Sequence, residues 1–154
     1  DNFHKGDRRG RSAAMNMVIT ETGAAKAVSK ALPELEGKLS GNAIRVPTPD
    51  VSMAILNLTL SKSVDRGTVN KVLRDASLKS NLRNQIDYIE SPEVVSTDFV
   101  GSNRAGIVDG LATIANGKNI ILYVWYDNEY GYSHQVVRVI QELAGLHPPK
   151  FPSR

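Results

Sequence analysis

Four groups of residues in this chain are equipped for ligand chemistry. Asn128 carries a primary amide that can pair with a planar amide on a ligand. With Asp127 it stands where a dense apolar run, Ile120-Ile121-Leu122-Tyr123-Val124-Trp125, stops and helical periodicity takes over at Val136, Val137, Ile140 and Leu143 or Ala144. A strand-to-helix junction exposes free backbone N–H groups and can present polar side chains to a ligand. The plainer reading is that Asp127 or Asn128 starts the helix, a place both residue types favour. Thr22-Gly23 opens a second helical stretch. Helix N-termini favour anions, glycine permits close approach and threonine adds a hydroxyl; the alternative is an ordinary cap. Arg45, beside the small Ala43 on its face of a strand, can present a bidentate fork to phosphate, or can simply be an exposed strand arginine. Arg9 lies with Lys5, Arg8 and Arg11 in a basic cluster suited to phosphate, nucleic acid or an acidic partner, or to plain solvation. Three phosphate-competent groups and one amide reader suit a phosphorylated substrate and a carboxamide-bearing cofactor.

The elements that must position these groups follow from periodicity and breakers. Residues 1–12 read as an irregular basic loop, followed by the apolar stretch Met15–Ile19. A helix is expected over Ala24–Leu32, rich in Ala, Lys and Leu and closed by Pro33. Leu39–Val46 reads as a strand with Ala43 and Arg45 on one face, and Pro47-Thr48-Pro49-Asp50 as a turn. Val51–Leu60 is the next strand; its start is apolar on both faces, which predicts cover on two sides. Val69, Val72, Leu73 and Ala76 fall on one helical face and predict a helix over Thr68–Lys79. Strands are expected at Ile86–Ile89, Val94–Phe99 and Ile107–Ala115, the last joined to Asn119–Tyr126 by a tight Asn116-Gly117 hairpin. The final helix is expected from about Tyr132 to Ala144, ended by Gly145. Strands close in sequence with hairpin connections predict an α+β fold: a mixed, mostly antiparallel sheet covered by helices, plus a C-terminal helix.

Composition narrows the class. At 154 residues, with 41% apolar and 23% charged side chains, the chain has the balance of an ordinary globular domain. No apolar run reaches the roughly 20 residues that span a bilayer, and the N-terminus has no signal-peptide pattern. With no cysteine, disulfides, thiolate metal sites and thiol nucleophiles are excluded within these residues, and a cytoplasmic location is the expectation. The basic cluster lacks the interleaved aromatics that stack bases, so nucleic acid is the weaker partner class. His4, His134 and His147 lack metal-ligand spacing, no G-x-G-x-x-G fingerprint follows a strand, and Asp98 and Asp109 read as structural acids.

Several motifs stand in one order along the chain. They are His4–Ala14, Thr22-Gly23-Ala24-Ala25-Lys26-Ala27-Val28, Leu32–Leu39, Arg45-Val46-Pro47-Thr48-Pro49-Asp50-Val51-Ser52 and Trp125-Tyr126-Asp127-Asn128-Glu129-Tyr130-Gly131-Tyr132. Together they resemble the C-terminal, catalytic-domain portion of phosphorylating glyceraldehyde-3-phosphate dehydrogenases. The resemblance covers nearly the whole chain and is densest over residues 1–52 and 123–137. It departs at Gly101-Ser102-Asn103-Arg104-Ala105-Gly106-Ile107, where the commoner version is rich in Ser and Thr, and in the longer tail His147–Arg154.

The resemblance implies that residues 1–154 are a partial catalytic domain truncated within the S-loop, without the N-terminal dinucleotide-binding domain. It implies phosphate contacts from Arg9, Thr22, Gly23 and Arg45, the last for the C3 phosphate of the substrate. Asn128 would read the nicotinamide carboxamide of NAD or NADP, with Tyr132 beside the ring. In such an enzyme a cysteine thiolate attacks the aldehyde of glyceraldehyde 3-phosphate, hydride leaves to the cofactor, and inorganic phosphate cleaves the thioester. The family's cysteine and its activating histidine match nothing here, so no catalytic residue is expected in this chain and it should be inactive alone. A homo-tetrameric parent in the cytoplasm is implied. The competing expectation is a non-catalytic phosphate-binding or protein-interaction module on the same scaffold.

Overall fold

A computed structural model of the protein describes residues 8, 10, 11 and 14–146. Arg9, Lys5, His4 and the tail His147–Arg154 lie outside the described residues. The chain divides into two compact units, residues 1–49 and 50–154.

In the first unit, β1 (Val18–Glu21) pairs antiparallel with β2 (Asn42–Arg45), in a register that sets Glu21 opposite Asn42 and Val18 opposite Arg45. Between them runs α1 (Ala24–Ala31). It ends where Pro33 can no longer donate, and a short 3₁₀ turn, Pro33–Leu35, follows.

The second unit carries the larger sheet. Its central strand is β7 (Asn119–Tyr126), the segment read from the apolar run. On one side β7 pairs antiparallel along its whole length with β3 (Ser52–Thr59). On the other it meets β5 (Gly106–Asp109) near one end and β6 (Ile114–Asn116) near the other, both antiparallel. The outer strand β4 (Ile86–Ile89) pairs parallel with β5. The sheet is therefore mixed and mostly antiparallel, and the fold is α+β.

The helix α2 (Arg66–Lys79) starts two residues earlier than the periodicity suggested, because Asp65 caps it. The Asp65 carboxylate accepts the Thr68 N–H at 2.8 Å and the Thr68 hydroxyl at 2.7 Å. Val69 packs on Ile120 and Leu122, which share a face of β7, with Leu58, Leu73 and Val124 around them. Val69, Ile120 and Leu122, the buried three, each contribute on the order of 1.5–3 kcal/mol. Val72, placed by periodicity on the same stripe, is exposed. The last helix, α3 (Tyr130–Leu143), begins two residues before Tyr132, and Gly145 follows it with φ +66°.

Three expectations are corrected. Val94–Phe99 is not a strand: Ser96–Phe99 forms a 3₁₀ turn, because the Asp98 carboxylate accepts the Val95 N–H at 2.8 Å and locks a local loop. Phe99 then stacks on Trp125, ring centroids 5.3 Å apart. Ile107–Ala115 is not one strand but two. Asp109 interrupts it by accepting the Ala112 N–H at 3.1 Å and, through its carbonyl, the Thr113 hydroxyl at 3.2 Å. Finally, β3 is not covered on both faces, since Met53 and Ile55 stand exposed on one face and Leu56 on the other. Among the described residues no helix is long and apolar enough to cross a membrane.

Candidate functional site

Asp127 ends β7 and opens α3, and it is only 3% exposed. One carboxylate oxygen, Oδ2, accepts the Gly101 N–H at 2.9 Å. The other, Oδ1, accepts the Glu129 and Tyr130 N–H groups at 3.0 and 2.7 Å. Its main-chain carbonyl takes the Gly131 N–H at 3.2 Å. Capping at this junction therefore falls to Asp127. The backbone donors, Gly101 first, hold its carboxyl below the usual carboxylate range against the upward push of burial.

Asn128 is thereby left over from capping. It is exposed, and among the described residues its amide has no hydrogen-bond partner. Tyr132 lies four residues on and is 71% exposed. An exposed amide and an exposed aromatic ring are each chemically suited to a flat heteroaromatic ring that bears a carboxamide.

Two glycines let the neighbouring loop come close. Gly101 has φ +79°, a backbone that L side chains rarely adopt. A Cβ on Gly131 would lie 2.5 Å from the Arg104 carbonyl oxygen, so only glycine fits the first turn of α3 there. Gln135 Nε2 donates to the Asn103 carbonyl at 3.1 Å, and Arg138 Nη1 to the Asn84 carbonyl at 3.1 Å. Beside this junction is an open hollow of about 490 Å³, lined by Asp50, Gly101, Asp127, Tyr130, His134 and Val137 among others. The His134 and Tyr130 rings lie 4.7 Å apart. Neither Asn128 nor Tyr132 lines the hollow.

In the first unit, the Thr22 hydroxyl oxygen accepts the Ala24 N–H at 3.2 Å, so Thr22 does help to start α1. Gly23 is the residue before the helix, with φ −84° and open space where a side chain would stand. Neither conformation nor packing demands a glycine there. Arg45 is exposed and, among the described residues, its guanidinium has no ion-pair or hydrogen-bond partner. The strand register keeps the two apart. Thr22 follows the Glu21–Asn42 end of the two-stranded sheet, while Arg45 sits at the Val18 end, four positions away. That is roughly 13 Å along a strand. Arg9 lies outside the described residues.

A second hollow, about 390 Å³, lies on α2 among Arg66, Asn70, Lys71, Arg74, Tyr88 and Glu90. Burial first, then the hydrogen bond to Glu90, pushes the Tyr88 hydroxyl up to about 12. Sequence reasoning singled out none of these six. Nor did it foresee that the Asp127 carboxylate reaches Gly101 or that Gly131 lies under the Arg104 carbonyl. Asp98 and Asp109 are structural, as read: Asp109 also accepts the Trp125 indole N–H, at 3.3 Å. Among the described residues no group of three or more His, Cys, Asp or Glu is placed to hold a metal ion.

Comparison with known proteins gives a single family. The model of the family described as "Glyceraldehyde 3-phosphate dehydrogenase, C-terminal domain" matches residues 1–128. A "Glyceraldehyde-3-phosphate dehydrogenase-like protein" from Pseudomonas aeruginosa (strain UCBPP-PA14) is 65% identical over 152 residues, covering 99% of this chain and 33% of the relative. A "Glyceraldehyde-3-phosphate dehydrogenase" from Priestia megaterium is 46% identical over 142 residues, covering 92% of this chain and 42% of the relative. A cytosolic glyceraldehyde-3-phosphate dehydrogenase from Craterostigma plantagineum is 46% identical over 138 residues, 89% of this chain and 40% of the relative. The chain thus spans from a third to about two fifths of the length of these relatives.

Proposed function

We propose, from the premise that this chain belongs to the glyceraldehyde-3-phosphate dehydrogenase C-terminal domain family, that it serves as the substrate- and cofactor-contacting part of a glycolytic dehydrogenase. That enzyme oxidises and phosphorylates glyceraldehyde 3-phosphate with NAD or NADP. The observation that carries this reading is the exposed, unpartnered Asn128 amide at a junction held by buried Asp127. The cofactor, when bound, accepts the hydride. Asn128 would hold its carboxamide and so set which face of the ring meets the substrate, with Tyr132 alongside the ring. Arg9 and the Thr22-Gly23 end of α1 would take inorganic phosphate, and Arg45 the substrate's own phosphate. These 154 residues contain no cysteine, so the nucleophile has to lie outside them. One of these relatives is named as cytosolic, and we place the working enzyme in the cytoplasm as a homo-tetramer.

The test uses the full-length protein in which this chain resides. Asn128→Ala should weaken NAD binding about tenfold, the ratio that corresponds to one hydrogen-bonded contact. Arg45→Ala should raise KM for the phosphorylated aldehyde at least tenfold, since a charge-assisted contact is the stronger kind. The 154 residues alone should show no turnover. Wild-type cofactor affinity in Asn128→Ala would sink the cofactor assignment, and turnover by the isolated chain would sink the division of labour.

The unpartnered guanidinium of Arg45 and the open N-terminus of α1 also suit a second reading, a non-catalytic phosphate-binding or protein-interaction module. That reading requires the isolated chain to bind inorganic phosphate and the full-length protein to lack dehydrogenase activity.

A further inference from the structure

The main-chain N–H groups that the Asp127 carboxylate accepts belong to two separate segments of chain, and the Asp50 side chain also meets it. Oδ2 holds the turn at Gly101, and Oδ1 holds the first turn of α3 at Glu129 and Tyr130. Asn128 is the residue enclosed between these attachments. The same two segments meet again where Gly131 lies under the Arg104 carbonyl and where Gln135 reaches the Asn103 carbonyl. Asn128 makes no hydrogen bond of its own among the described residues, so what holds it is the backbone fixed on either side of it. Capping alone would not call for aspartate here. Serine, threonine or asparagine cap a helix with one acceptor oxygen. A carboxylate has two oxygens, enough to serve the helix and a second segment at once, whereas an asparagine side chain has only one.

We propose that Asp127 is the positioning residue for Asn128: its two carboxylate oxygens clamp the Gly101–Arg104 loop to the start of α3 and so fix the direction in which the Asn128 amide meets a carboxamide-bearing ligand. This rests on the reading that Asn128 contacts the cofactor. The Gly101–Arg104 loop is the other jaw of this clamp.

The experiment measures dissociation constants by calorimetry in the full-length protein. The two probes are NAD and its 3-acetylpyridine analogue, which keeps the ring and the carbonyl but lacks the amide donors. The variants are Asp127→Asn, Asp127→Ser, Asn128→Ala and the double variant Asp127→Asn/Asn128→Ala. Serine can still cap α3 but has no second oxygen for Gly101. Both Asp127 variants should fold, lose about tenfold in NAD affinity and bind the analogue nearly as the wild type does. The double variant should bind NAD no more weakly than Asn128→Ala alone, because the two residues act as one unit. The inference is overturned if NAD and the analogue weaken equally, if the two losses add, if NAD binding is unchanged, or if neither Asp127 variant folds. An Asn128→Ala variant that still discriminates between the probes would instead remove the underlying reading, and the inference with it.

Discussion

At the scale of single residues, Asp127 makes a prediction about pH. Its folded-state carboxyl lies below the usual range because backbone N–H groups, Gly101's foremost, favour the ionised form. An unfolded aspartate titrates near 3.9. A depressed folded value means that the stability it contributes is fully present above that pH and is lost as pH falls through the lower, folded value. Asp127→Asn should therefore be less stable than the wild type at pH 7. The gap should close as pH is lowered below about 4. Urea midpoints at pH 7 and pH 3 check this; a gap that stays constant would show that the carboxylate charge contributes nothing. The same residue shows how far the sequence could be read. That Asp127 and Asn128 stand at a strand-to-helix junction follows from the change of hydrophobic period. Which of them caps and which is left free depends on a hydrogen bond to Gly101, 26 positions away, and no local pattern carries that. Likewise, Arg45 and Thr22 could be picked out by type, but their placement at opposite ends of a two-stranded sheet is a matter of register.

At the scale of elements, α3 offers a case where propensity and packing oppose each other. Replacing a helical glycine by alanine normally stabilises a helix by about 1 kcal/mol. Gly131 should do the reverse, because a Cβ there would meet the Arg104 carbonyl oxygen, a backbone atom with no freedom to swing aside. Overpacking of this kind costs roughly 1–3 kcal/mol. Gly131→Ala should lower Tm by at least several degrees and weaken NAD binding in the full-length protein, while Gly145→Ala should affect stability alone. A Gly131→Ala protein as stable as the wild type would show that the 101–104 loop can give way. Elements with a strong internal period were readable from sequence: β7 and β4 fall where the pattern put them, and α1 and α2 within two residues at their starts. The errors came where short polar side chains compete with the sheet. Asp98 turns Val94–Phe99 into a 3₁₀ turn, and Asp109 breaks the strand Ile107–Ala115 in two. Both segments are apolar enough to read as strands, and in each a single carboxylate bond to a main-chain N–H decides otherwise.

At the scale of the whole molecule, the notable quantity is the apolar surface left uncovered. The stripe Val136, Val137, Ile140 and Leu143 has the spacing of a core-facing helix, yet all four are exposed, Leu143 at 84%. Met53, Ile55 and Ile114 are exposed as well, and β3–β7 and β6–β7 pairing puts them on one face of the larger sheet. Periodicity of this sort is ordinarily read as evidence of burial within the same chain. Here the pattern is present and the burial is not. The exposed faces are broad enough that isolated protein should lower its free energy by covering them. Purified alone, the 154 residues should therefore self-associate at micromolar concentration. Sedimentation velocity should show species heavier than a monomer that increase with protein concentration. Because burial of apolar surface drives this association, added sulfate should strengthen it, whereas association through the basic cluster would weaken with salt. Replacing Ile140 and Leu143 by glutamate should shift the distribution toward monomer without unfolding α3, since neither side chain contributes to the core around Val69. A wild-type chain that stays monodisperse and monomeric in sulfate at 100 micromolar would mean that these faces are stable in water. In that case their helical and strand periodicity would need an explanation other than a partner surface.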